Sequence, residues 1–291
     1  MKVAAGLPLI VLVGPTASGK TALAVDLAQR FNGEIICADS RTIYKEMNIG
    51  TAKPSQSDRT TVPHWGLDLV EPGQRFTAAD FKKYAYEKID NIRSRGKVPL
   101  LVGGTGLYID AVLYDYQFGS DVDQAKRAVF ESMSLSELYK YCTKNNVKLP
   151  ENFKNKRYVI RSIELSGEKH KRNAVKIANS MVVGITTEKA ILLERIKDRT
   201  EHLFDDGVVE EAIRLGEKYG WENEAMTGNV YPILQLLVNG SLTKKEATTQ
   251  IETRDWQLAK RQITWFKRNS DIAWFSLDGA RTYLVDYLEN C

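Results

Sequence analysis

The octapeptide Gly14-Pro15-Thr16-Ala17-Ser18-Gly19-Lys20-Thr21 matches G-x-x-x-x-G-K-[ST] residue for residue. It follows the apolar run Leu9-Ile10-Val11-Leu12-Val13 and leads into Ala22-Leu23-Ala24-Val25-Asp26-Leu27-Ala28, a good helix former. Strand, glycine loop and helix in this order predict a phosphate cradle. Glycines let backbone N–H groups curl around phosphate oxygens, and the helix N-terminus adds partial positive charge. Lys20 reaches the outer phosphate, and the Thr21 hydroxyl is the candidate ligand for Mg²⁺. A glycine turn that merely caps a helix gives no reason for Lys and Thr to follow Gly19. Alone, the loop suggests ATP and a kinase or a motor.

Outward from the loop, short apolar runs bounded by turns predict buried parallel strands at 9–13, 34–38, 66–70, 98–102, 181–185 and 272–275. Helical patterns at 20–31, 78–95 and 188–219 separate most of them, the second opening on Thr77 with Asp80 as a capping box. The alternation implies right-handed crossovers and an α/β fold, a P-loop doubly wound parallel sheet. The polar stretch 111–170 breaks the rhythm, with a helix start at Ser134 and a break at Pro150. It reads as a small helical insertion domain, leaving 1–110 and 171–291 as the core. Beyond 220 the pattern is helical again, with a turn at Asn239-Gly240 and a long helix over 253–269.

The chain has 291 residues, 43% hydrophobic and 27% charged, an ordinary globular composition with ample material for a core. Cys37, Cys142 and Cys291 are too dispersed for a metal knuckle or a disulfide framework, so a reducing, cytoplasmic setting is expected. The apolar run after Lys2 has the look of a signal segment, but cleavage behind it would destroy the phosphate loop. No stretch reaches the ~18 apolar residues of a membrane span, and no membrane partner is expected. Net charge is only +4, yet 151–172 and 253–269 each carry +4, leaving −4 for the remainder. Concentrated basic segments on a mildly acidic body suit a polyanion such as nucleic acid, although a solvated helix face would carry the same charges. In the second segment Lys260, Arg261, Thr264, Lys267 and Arg268 recur at helical spacing and can share one face.

Ligands of doubly wound sheets bind beyond the carboxyl ends of the strands. Asp39-Ser40 and Gly103-Gly104-Thr105-Gly106 follow two such ends and are expected beside the phosphate loop. Asp39 can bind Mg²⁺ or take a proton from a nucleophile, or simply cap a helix. Thr105 offers a hydroxyl toward the phosphates, though a tight strand–helix turn would also need the glycines. Motors keep an acid at the end of the adjacent strand; Gly-Gly-Thr stands there instead, and Asp205-Asp206 fits a turn. Arg195 and Arg199 can form an anion lid or pair on the surface with Glu194 or Asp198. His64, His170 and His202 are isolated and form no metal cluster.

Together these pieces resemble the tRNA dimethylallyltransferases over nearly the whole chain. The resemblance rests on GPTASGKT at 14–21, Asp39-Ser40 with Tyr44, Gly50-Thr51-Ala52-Lys53-Pro54 and Ala79-Asp80-Phe81. It continues in LVGGTGLY at 101–108, Arg161 with Glu164, Arg195-Ile196 with Arg199, Thr253-Arg254 and AKRQITWF at 259–266. It implies that the loop Gly14 to Thr21 holds the diphosphate of dimethylallyl diphosphate, with Mg²⁺ as cofactor. The implied acceptor is the N6 amine of the adenosine 3′ of the anticodon, presented by the tRNA anticodon stem-loop. Asp39, Thr105 and Arg199 take catalytic roles by this likeness: Asp39 receives the amine proton, while Thr105 and Arg199 stabilise the leaving oxygen. Asp39, Ser40, Arg41, Thr42, Thr105, Arg127, Arg157, Arg161, Lys260, Arg261, Gln262, Thr264, Trp265 and Lys267 become candidate tRNA contacts, and the insertion a tRNA-binding domain. A monomer is expected.

The chain departs from the family pattern in three places. Tyr158 replaces the first arginine of an R-x-x-R pair, Gly228-Asn229 replaces Gly-Tyr, and the insertion is short. These changes touch RNA recognition and leave the diphosphate residues intact, as a divergent paralogue with altered tRNA preference would. A small-molecule kinase shares the loop but leaves the basic helix unexplained. An RNA-binding protein with a vestigial loop has no use for Lys20, Thr21, Asp39 and Thr105.

Overall fold

The computed structural model describes residues 7–118, 123–166, 173 and 175–291. Its first elements are β1 (Leu9–Val13), α1 (Lys20–Arg30), β2 (Gly33–Ala38), α2 (Gln56–Thr61), β3 (His64–Trp65), α3 (Ala78–Ser94), β4 (Val98–Gly103) and α4 (Gly106–Leu113). Three helices follow: α5 (Gln124–Ser132), α6 (Leu135–Lys144) and α7 (Lys156–Glu164). The chain then forms β5 (Ser180–Ile185), α8 (Lys189–Asp205), α9 (Val208–Tyr219), α10 (Tyr231–Val238), α11 (Lys244–Phe266), β6 (Ala273–Phe275) and α12 (Leu277–Glu289).

The six strands form one parallel sheet in the order β3-β2-β4-β1-β5-β6. Every residue of β1, β2 and β4 is buried, as strands covered on both faces must be. Register does the positioning. Val13 lies opposite Gly103 and Gly184, and Ala38 opposite Gly103, so three carboxyl ends are level. One core cluster joins the sheet to α1 and α12 through Leu23, Leu27, Ala280 and Leu284. Another gathers Ile43, Met47, Leu215, Ile233 and Ile251 around α9, α10 and α11. The expected capping box of α3 is present: Asp80 N–H donates to the Thr77 hydroxyl, and Thr77 N–H to the Asp80 carboxylate.

Three sequence expectations need correction. No strand spans 66–70: the sheet edge is His64–Trp65, positive φ at Gly66 and Asp68 turns the chain away, and only Val70 makes an isolated bridge, to Tyr44. The pattern at 188–219 is two helices, because Gly207 sits at φ 87° between α8 and α9. The basic helix begins well before 253. Thr243 and Glu246 form a capping box that starts α11 at Lys244, and it ends at Phe266.

By contacts the chain divides into Met1–Tyr114 with Val175–Cys291, and Asp115–Ala174. The second unit has its own small core of Phe130, Leu138, Cys142, Val159, Ile160 and Ile163. Ser134 opens α6 with a capping box, and Pro150 lies in the connection to α7. Residues 167–172, with His170 and the end of the first basic segment, lie outside the described residues.

Candidate functional site

The phosphate loop turns over the carboxyl end of β1 and delivers Lys20 as the first residue of α1. The N-cap of α1 is Gly19 at φ 88°, and it offers no side-chain acceptor to the first turn. The free N–H groups of that turn are therefore left for a ligand. Lys20 Nζ lies 2.5 Å from Pro15 C=O and 3.4 Å from Ser18 Oγ. Burial of the ammonium lowers its pKa to about 8; the Asp39 carboxylate opposes that shift and the Arg199 cation adds to it. Thr21 is exposed at the mouth of a cavity of about 630 Å³, a volume suited to a small ligand.

The other expected walls meet there. Asp39, Ser40, Arg41, Thr42 and Thr105 line the same cavity as the loop. Arg41 N–H donates to Asp39 Oδ1 at 2.8 Å, and Ser40 N–H to Thr105 Oγ1 at 3.0 Å. The Thr105 hydroxyl thus ties the β4 end to the β2 end. Thr42 is buried, and its hydroxyl donates to Asp39 C=O at 3.4 Å. The Arg41 guanidinium donates to Glu224 C=O at 3.3 Å.

Arg199 and Arg195 separate. Arg199 Nη1 donates to Thr16 Oγ1 at 2.6 Å and Nη2 pairs with Asp255, whereas Arg195 is exposed and absent from the cavity wall. Two arginines four positions apart share a face only roughly, and here one alone turns to the loop. The two-arginine lid is thereby reduced to Arg199.

Helix α11 closes the cavity. Its buried residues Asp255, Ala259, Gln262 and Phe266 face inward, and Lys260, Arg261, Thr264, Lys267 and Arg268 are exposed. Arg261 also lines the cavity, as do Gln262 and Trp265. Gln262 bridges two backbone segments of the cavity wall. Its Oε1 accepts from Thr16 N–H at 2.8 Å, and its Nε2 donates to Gly104 C=O at 3.2 Å. Replacing it with Leu would remove both hydrogen bonds, at about 0.5–1.5 kcal/mol each. A Cβ on Gly104 would come within 2.1 Å of Gln262 Nε2, so a side chain there would push the Gln262 amide out of its bridging position. Trp265 Nε1 donates to Asp110 Oδ2 at 2.9 Å. The Thr264 hydroxyl donates to Lys260 C=O within the helix.

In the smaller unit, Arg127 and Arg161 both bind the Glu164 carboxylate, at 2.9 and 3.0 Å; the first pair joins α5 to α7 and the second lies within α7. Arg157 and Tyr158 are exposed on α7.

Two structural supports of the cavity wall have no local sequence signature. Glu211 of α9 is buried and accepts from the N–H groups of Asn48, Ile49 and Gly50 and from the Tyr231 hydroxyl, fixing the 48–50 turn. Burial, with the Glu211 carboxylate beside it, pushes the Tyr231 phenol far up. Asn229 Nδ2 donates to Asp255 Oδ1 at 3.1 Å. Both pairings join residues remote in sequence, so no spacing rule could reveal them.

Among the described residues no group of three or more His, Cys, Asp or Glu is placed to hold a metal. Mg²⁺ does not need such a cage. It keeps water and binds through a hydroxyl or carboxylate plus phosphate oxygens, and Thr21 at the loop fits that hard-oxygen donor set. No described helix is long and apolar enough to cross a membrane.

Comparison with known proteins identifies the family. The IPP transferase family model matches residues 42–269. A tRNA dimethylallyltransferase of Anoxybacillus flavithermus is 38% identical over 285 residues, covering 94% of this chain and 91% of that protein. Another, from Bacillus anthracis, is 36% identical over 96% of this chain and 94% of its own length. The crystal structure of a Bacillus halodurans tRNA isopentenylpyrophosphate transferase superposes with a TM-score of 0.74 at 31% identity, covering 97% of both chains. The chain belongs to the tRNA dimethylallyltransferase (IPP transferase) family.

Proposed function

We propose that this protein transfers a dimethylallyl group from dimethylallyl diphosphate to the N6 amine of the adenosine 3′ of the tRNA anticodon, releasing diphosphate. The observation that carries the reading is the meeting, in one cavity, of the phosphate loop, Asp39 and Thr105 with Arg261 of the exposed basic face of α11. A diphosphate held by Lys20, the loop amides and Arg199 leaves its allylic carbon toward the Asp39 side. The amine nitrogen bonds to that carbon, the carbon–oxygen bond breaks, and the amine proton passes to the Asp39 carboxylate. Charge growing on the departing oxygen is met by Lys20, Arg199 and the Thr105 hydroxyl. When bound through Thr21, Mg²⁺ supplies further neutralisation of the diphosphate. The amine is a weak nucleophile, so orientation and exclusion of water supply much of the rate. The base must leave the anticodon stack to enter the cavity, at a cost of a few kcal/mol. The tRNA backbone lies along Lys260, Thr264 and Lys267, with Arg127, Arg157 and Arg161 of the smaller unit as further contacts. The protein acts in the cytoplasm as a monomer.

A nucleoside kinase would use the same loop but gives the basic face of α11 no partner. The deciding assay follows label from dimethylallyl diphosphate into tRNA bearing adenosine after the anticodon, with and without Mg²⁺. Incorporation that requires Mg²⁺ is expected; consumption of ATP without incorporation would refute the reading.

A further inference from the structure

Asp255 is the single acid in the basic segment 253–269, and its side chain is only 3% exposed. A buried carboxylate must be paired, and this one has two partners. Arg199 Nη2 binds Oδ2, and Asn229 Nδ2 donates to Oδ1 at 3.1 Å. Through Arg199 the same carboxylate reaches the phosphate loop, since Arg199 Nη1 holds Thr16 Oγ1 at 2.6 Å. Arg199 Nε is buried without an acceptor among the described residues, so Thr16 and Asp255 hold the guanidinium through its terminal nitrogens alone. Asn229, Asp255 and Arg199 all line the cavity.

The carboxylate acts on Arg199 in two opposed ways. A charge-assisted hydrogen bond fixes the guanidinium against the loop, which prepares it for the leaving group. The negative charge also offsets part of the guanidinium's attraction for an anion. Lys20 and Arg199 without that offset would grip diphosphate more firmly, and slow product release commonly limits turnover. We infer that Asp255, oriented by Asn229, is a positioning residue for Arg199 that also weakens the pocket's hold on product diphosphate. The inference rests on the diphosphate reading of the site given above.

Asp255→Asn separates charge from geometry. The amide retains an acceptor for Arg199, and the Asn229 amide can turn to accept from the new NH₂. Titration calorimetry with inorganic pyrophosphate and Mg²⁺ on the full chain is the test, with the melting temperature read for each variant. Asp255→Asn is expected to bind pyrophosphate about tenfold more tightly. Its steady-state kcat falls while the single-turnover rate is kept. In an Arg199→Gln background the gain should shrink below about twofold, as coupling through Arg199 requires. Unchanged or weaker binding by Asp255→Asn, or the same gain without Arg199, overturns the inference. Asn229→Ala keeps the carboxylate but frees it: pyrophosphate affinity should hold, and the single-turnover rate should fall severalfold. An unaltered single-turnover rate in that variant removes Asn229 from the chain of contacts. Pyrophosphate binding needs no prenyl transfer, so a wild-type protein that shows the calorimetric pattern yet modifies no tRNA would contradict the proposed function alone.

Discussion

Strand β2 carries a carboxylate at each end, and the two are treated in opposite ways. Glu34, near its start, is 1% exposed and accepts from Trp65 Nε1, both terminal nitrogens of Arg95 and Lys97 Nζ. The Arg95 hydrogen bonds, helped by Lys97 and Trp65 and opposed by burial, pull its pKa down to about 2. Asp39, just past the other end, is partly exposed and accepts one hydrogen bond among the described residues, from Arg41 N–H. A carboxylate surrounded by donors is held ionised and has nothing left to accept. One with spare acceptor sites beside a cavity can take a hydrogen bond or a proton from a substrate. The Glu34 end of the strand is closed by its donors; the Asp39 end leaves acceptor sites open toward the cavity.

The largest effect expected from this contrast belongs to Asp39→Asn. It should lower prenyl transfer on the order of 10²–10⁴-fold while stability moves within about 0.5 kcal/mol. Single-turnover rates and denaturation midpoints measure the two. Loss of stability comparable to the loss of rate would erase the distinction. Glu34→Gln should behave inversely, costing about 1–3 kcal/mol of stability and leaving the rate per folded molecule unchanged. The folded pKa of Glu34 is lowered, so its stabilisation is complete above the ordinary value of 4.5 and is lost as pH falls toward 2. Urea midpoints of the wild type and variant should therefore converge between pH 5 and about 2.5.

The cavity end predicts the reverse pH sensitivity. Burial lowers the Lys20 pKa to about 8, and the proposed diphosphate would bind its ammonium form. Affinity should be complete below that pH and fall by up to about tenfold per unit above it. Pyrophosphate titrations up to pH 10 check this, and Lys20→Arg should flatten the profile. A flat wild-type profile would show that another cation carries the grip. The smallest change is expected from Lys260→Ala, on the exposed face of α11. The slope of log K for tRNA against log salt should drop by about 0.7–0.9, with the KM for dimethylallyl diphosphate unmoved. Arg261 lines the cavity as well, so its alanine variant should alter both constants.

The phosphate loop, the capping box at Thr77 and Asp80, and most strands were legible because each is written in consecutive residues or fixed local spacing. The segment 66–70 misled because its apolar residues suit a strand, while positive φ at Gly66 and Asp68 bends the backbone away. The start of α11 lay in Thr243 and Glu246, a capping box hidden by the more conspicuous tryptophans and basic residues downstream. Of the site, Lys20, Asp39, Thr105 and Gln262 could be named from sequence. That Gln262 spans the loop and Gly104, that Glu211 fixes the 48–50 turn, and that Asn229 and Asp255 stand behind Arg199 could not. Those pairings follow from parallel register and helix packing, which join distant positions without local pattern.

The proposed reaction is prenyl transfer at the carboxyl end of the sheet with Asp39 as proton acceptor. It is tested most directly by mass analysis of nucleosides from tRNA incubated with dimethylallyl diphosphate, Mg²⁺ and wild type, Asp39→Asn or Glu34→Gln protein. Dimethylallyl-adenosine is expected from the wild type and Glu34→Gln, and almost none from Asp39→Asn at equal folded concentration. Equal modification by the wild type and Asp39→Asn, or unmodified adenosine from all three, would contradict it.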